Sequence, residues 1–113
     1  MSEFEALLLS AAIEAPVAWL VVRLSRWPSR GPLHAAAAAA VATAVTHPQL
    51  WAAMLWLIPQ IGWWPAAIVG EAAVVVAEGM LIAWMARMRP PHALLLSCAT
   101  NAASFAVGLA LGA

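Results

Sequence analysis

The chain has no lysine, no tyrosine and a single cysteine, and only 9% of its residues are charged. A soluble domain carries roughly 25% charged residues. A chain of 113 residues that is 65% hydrophobic, with a mean hydropathy of +0.91, would present too apolar a surface to stay dispersed in water. Soluble globular classes are thereby excluded, and the solvent is read as lipid. The lone Cys98 excludes an intrachain disulfide and zinc sites built on cysteine pairs, and it is read as a small packing residue. Formal net charge is zero, so no basic face is available for nucleic acid. The first residues, Met1 to Glu5, are negative where a secretory signal is positive, so the first apolar run is expected to be retained as a helix.

What the chain does have is long apolar runs. At about 20 residues per crossing, it has room for four at most. Interruptions fall where proline and glycine cluster: Pro28, Gly31 and Pro32; Pro59, Gly62 and Pro65; and Pro90 with Pro91. The spans are expected near 4–22, 33–58, 66–86 and 93–111, within one domain covering residues 1–113. The expected fold is all-α, a polytopic membrane protein built as a four-helix bundle. Pro48 removes a backbone donor and biases His47 away from helical dihedrals, so a proline break is expected in the second helix. Alanines 35–40 leave that helix without a bulky side chain for nearly two turns, which suits close helix packing. Gly108 and Gly112 are read in the same way, as packing positions within the bundle.

All basic residues fall in two loops. Arg23, Arg26 and Arg30 follow the first span, and Arg87 and Arg89 follow the third. The positive-inside rule puts both loops in the cytoplasm and both termini outside. The expected location is a cell membrane, of the bacterial inner or cytoplasmic type. His34 and His92 fall at loop edges on the arginine side and are expected to be interfacial.

Against this background three glutamates stand out. Glu14, Glu71 and Glu78 lie inside stretches that otherwise read as lipid-soluble. A carboxylate at bilayer depth costs at least ~2.5–3.5 kcal/mol, so each needs a partner, a proton or a function. Converting position to depth at about 1.5 Å per residue brings Glu14, His47, Glu71 and Asn101 to similar levels from four different spans. Glu78 comes about two turns deeper than Glu71 on the same face, and it is the acid expected to hold a proton at rest. Ser97, Asn101 and Ser104 form one stripe with Thr100 beside it, while Thr43 and His47 are four apart, next to Thr46. Each span thus has a polar stripe, and the stripes are expected to meet in a seam open toward the outside.

The candidate ion- or proton-binding residues are Glu14, His47, Glu71, Glu78, Asn101 and Ser104, with Thr43, Thr46, Ser97 and Thr100 in support. Histidine titrates near neutrality and can pass a proton to or from a carboxylate. Carboxylate with imidazole also suits a divalent metal ion, for which His47, Glu14 and Glu71 are the expected ligands. The first functional expectation is a small membrane protein that binds or conducts a proton or metal cation. It would act as a homo-oligomer or beside a larger membrane partner. A second is a non-catalytic accessory subunit of a larger membrane complex. A third is a membrane-embedded enzyme acting on a lipid-like substrate, but no metalloprotease motif, nucleophile elbow or phosphate loop is present.

Overall fold

Four helices follow one another in the computed structural model, which describes residues 2–112. They are α1 (Glu3–Ser25), α2 (Pro32–Ile61), α3 (Trp63–Met85) and α4 (Pro90–Ala110). All four are long and apolar enough to cross a membrane. Local chemistry sets their ends. Ser2 caps α1 by accepting from the Glu5 amide at 3.1 Å, and Glu3 and Glu5 put negative charge at the positive end of the helix dipole. Pro32 opens α2 and Pro90 opens α4, at first-turn positions where a missing N–H costs nothing.

The turn between α2 and α3 is shorter than the sequence suggests. Only Gly62 lies outside the two helices, at φ 89°, a backbone region that favours glycine. Pro59 sits in the last turn of α2 instead of ending it, and Pro65 sits in the first turn of α3.

The expected proline break in the second helix is absent. Helix α2 runs without interruption through His47 and Pro48 for 30 residues. The proline removes one hydrogen bond, whereas opening the turn would strand several backbone groups in apolar surroundings. Just before it, Thr46 Oγ1 lies 3.0 Å from the Ala42 carbonyl, a side-chain contact to the backbone of the preceding turn.

The helices alternate in direction and form a closed ring: α1 packs on α2, α2 on α3, α3 on α4, and α4 on α1. The ring is 42 Å long and about half as wide. All five arginines fall at one end, here the arginine end. The starts of α1 and α3 and the ends of α2 and α4 share the other, the terminal end. At the arginine end the two loops are tied together by the Arg30 amide, which donates to the Ala86 carbonyl at 2.8 Å. The His92 ring stacks on Trp27 there, with centroids 4.6 Å apart.

Small residues lie inside and large ones outside. Ala18, Ala35, Ala39, Ala42, Ala86 and Ala93 are buried, while Leu20, Leu24, Leu33, Leu55, Trp56 and Trp84 are exposed. In water this distribution would be inverted. The arginine half stacks in layers one helical turn apart. Ala18, Ala39, Ile82 and Ser97 fill one layer, and Val22, Ala35, Ala86 and Ala93 the next, all buried. Glycine permits two further close approaches. A Cβ on Gly79 would lie 2.8 Å from Leu94 Cδ2 and 3.3 Å from its Cα; one on Gly70 would lie 2.8 Å from Leu50 Cδ1. Gly108 was expected to pack in the bundle but faces open space, with nothing within 4 Å of where its Cβ would be.

Candidate functional site

One turn from the sealed alanine layers, toward the terminal end, the ring changes character. The equivalent positions are now Glu14 (Ala18 minus four), Thr43 (Ala39 plus four), Glu78 (Ile82 minus four) and Asn101 (Ser97 plus four). Residues four apart lie on the same helix face, so a strictly inward stripe on each helix switches from small or apolar to polar at the same level. Glu14, Thr43 and Glu78 are each only 2% exposed.

These residues form the floor of a cavity of about 210 Å³. The six sequence candidates Glu14, His47, Glu71, Glu78, Asn101 and Ser104 all line it, and so do Thr43 and Thr46. Each of the four helices contributes. Ser97 and Thr100 are buried but do not line the space. Ser97 Oγ donates to the Val75 carbonyl at 2.9 Å, tying α4 to α3, and Thr100 Oγ1 donates to the Ser97 carbonyl at 3.1 Å. Their role is to brace α4 behind Asn101.

Glu78 has side-chain partners on two other helices. Asn101 Nδ2 donates to its Oε1 at 2.8 Å, and Thr46 Oγ1 lies 2.6 Å from its Oε2. Three helices are thereby joined at one carboxyl group. Asn101 Nδ2 is also 2.9 Å from the Ser97 carbonyl, which fixes the amide's orientation. Glu14 is different. Its Oε1 is buried without a hydrogen-bond partner, and so is Thr43 Oγ1 on the facing helix. His47 is half-buried one turn nearer the mouth, its ring 6.0 Å from Trp51 and its Nδ1 also without a partner. Glu71 lines both the cavity and an apolar groove on the outer face between α3 and α4.

The expected metal set is not assembled. Among the described residues, no three His, Cys, Asp or Glu side chains are grouped so as to hold a metal ion. The cause is level: Glu71 precedes Glu78 by two turns, about 10.5 Å along the axis, whereas Glu14 shares the layer of Glu78.

Other lining residues were not among the sequence candidates, and those with polar or aromatic side chains are Ser10, Trp51, Trp63 and Phe105. Ser10, Trp51 and Phe105 are each one turn mouthward of a candidate, Glu14, His47 and Asn101 respectively, so the same four-residue arithmetic points to them. Trp63 carries no such signal. It joins Trp64 edge-to-face at 4.9 Å and stacks near Phe105 at 6.2 Å, forming an aromatic wall beside the mouth.

The five arginines are at the opposite end, so among the described residues no fixed cation shares the cavity with its three acids. A half-open space with carboxyl groups and buried polar atoms without partners is suited chemically to a proton or a small cationic donor. No family model matches the chain, and neither a curated protein nor a solved structure matches it.

Proposed function

We propose that this chain is an integral membrane protein that binds a proton in the cavity between its four helices, entered from the terminal end. Large apolar side chains on the outside and alanine within support the membrane reading, because lipid is the solvent in which that arrangement is stable. The positive-inside rule puts the arginine end in the cytoplasm of the cell and the cavity mouth outside, with both described chain ends. The observation that carries the proposal is the meeting of Glu14, Glu71 and Glu78 around one cavity with no basic residue other than His47. A proton is favoured over a metal ion because the acids are not grouped as ligands. The filled arginine half favours a binding site over an open conduit, so passage across would need the alanine layers to part.

The test is proton uptake by purified protein in lipid nanodiscs, read with a water-soluble indicator after a pH jump. The wild type should take up protons that a Glu14→Gln/Glu71→Gln/Glu78→Gln variant does not. Equal uptake by the two proteins would end the proposal.

An accessory-subunit role is a second reading, and one observation favours it. Glu71 reaches the outward groove between α3 and α4, where a helix of a neighbouring chain, or of a second copy, could pair with it. Copurification of a stoichiometric membrane partner in mild detergent, lost on Glu71→Gln, is the expected result. A single species of one chain would remove this reading.

A further inference from the structure

The three acids of the cavity are not equivalent, and their hydrogen bonds separate them. Thr46 has one hydroxyl proton but two oxygen neighbours, Ala42 O at 3.0 Å and Glu78 Oε2 at 2.6 Å. A backbone carbonyl only accepts. If the hydroxyl proton is spent on Ala42, the proton in the shorter contact must come from Glu78. A proton on Oε2 satisfies both contacts at once, and Asn101 Nδ2 supplies the remaining need of Oε1. A carboxylate at this position would leave one of two close oxygen pairs without a hydrogen between them.

Glu14 has the opposite environment. It is as buried as Glu78, yet its Oε1 has no partner, and neither does Thr43 Oγ1. Both line the cavity floor. A buried acceptor without a donor is unstable unless something fills the place. The groups that face Glu14 are Thr43 and, nearer the mouth, His47 from α2; Glu78 and, nearer the mouth, Glu71 from α3; and Ser104 from α4. Ser10 precedes it on its own helix. None of these is a fixed cation, so only one negative charge at a time is tolerated in this layer.

We infer that Glu78 keeps its proton permanently as a structural hub, and that Glu14, beside Thr43, is the group that takes up and releases the exchanging proton. This rests on the proton-binding reading above and assigns it to one residue. In the loading step a hydronium ion at the cavity mouth gives its proton to the Glu14 carboxylate. An O–H bond forms on Glu14, one breaks on the hydronium, water is left, and the layer goes from one negative charge to none. Release is the reverse.

Infrared absorption spectra recorded across a pH titration, with the spectrum of each variant subtracted at the same pH, test the assignment, because a protonated carboxyl has a carbonyl band that a carboxylate lacks. The wild type should show one such band that does not change with pH and one that does. Glu78→Gln should lose the constant band; its amide can accept from Asn101 and donate to Thr46, as a neutral acid does. Glu14→Gln should lose the changing band and the proton uptake. Glu14→Asp, which keeps the acid should the glutamine variant fail to fold, should shift the changing band. Loss of the changing band in Glu78→Gln and its survival in Glu14→Gln would overturn the inference. If the wild type has no changing band, the functional reading fails, and the constant band still tests the proton on Glu78 by itself.

Discussion

The two halves of the bundle solve the same packing problem in opposite ways. Toward the arginine end, alanine on the inner stripe lets the helices close until Ala18, Ala35, Ala86 and Ala93 have no exposed surface. Toward the terminal end the inner stripe carries Glu14, Thr43, His47 and Glu78, and the helices enclose a cavity instead. The change takes place within one turn on all four helices. Close approach and polar content are therefore alternatives here: where backbones meet there is no room for a carboxyl group, and where carboxyl groups stand the space between helices has to be shared with something else. Among the described residues, the buried polar atoms without a partner are Glu14 Oε1, Thr43 Oγ1 and His47 Nδ1 in the open half and His92 Nδ1 alone at the arginine end.

The sharpest way to break this comparison is access. In a Cys98→Ala background, Ser10→Cys should react nearly completely with a charged thiol reagent added on the terminal side. Ala18→Cys, two turns deeper, should not react at all. Labelling of both positions would mean that the closed half is not closed. Size gives the next largest contrast. Ala18→Leu overfills a position with no free surface and should destabilise by about 1–3 kcal/mol. Ala6→Leu lines the cavity and should be close to neutral. Thermal unfolding in detergent measures both, and equal losses would erase the distinction between the halves. Removing the hub at the boundary should have a smaller effect. Asn101→Leu leaves Glu78 Oε1 without its donor and should cost about 0.6–1.7 kcal/mol, the range for polar contacts between membrane helices. Smallest is a difference in sign between two glycines. Gly108→Ala meets nothing and should gain a few tenths of a kcal/mol from helix propensity, up to about 1. Gly79→Ala must push against the Leu94 backbone and should lose stability in the same assay.

Much of the architecture was legible in the sequence because it follows from periodicities that survive folding. Proline and glycine clusters marked the ends of four long apolar runs. The arginines marked one end of the bundle. Four-residue spacing around Glu14, His47, Glu78 and Asn101 was sufficient to expect polar stripes on a common interior. What the sequence could not supply depended on neighbours. Pro48 signals a break when its own helix is considered alone, but an opened turn would strand several backbone groups in apolar surroundings, which makes continuation the better outcome. Ser97 and Thr100 share the stripe of Asn101, yet their hydroxyls turn to backbone carbonyls, a choice of rotamer that spacing does not reveal. The glycine pair 108 and 112 resembles a packing motif, while the glycines that permit close contact, Gly70 and Gly79, lie beside the acidic residues Glu71 and Glu78. The metal set failed for a related reason: similar depth along a span is not the same as ligand distance.

The bond from Arg30 to Ala86 gives the molecule a mechanical bias. It clasps the two helical hairpins, α1 with α2 and α3 with α4, at the base. At the opposite rim α2 and α3 are joined through Gly62, so the described ends of α1 and α4 are the parts of the ring with no backbone link to a neighbour there. Glu14 stands on α1 and Glu78 on α3, so an outward swing of the α1 end would widen the spacing between these two acids more than it moves the alanine layers nearer the clasp.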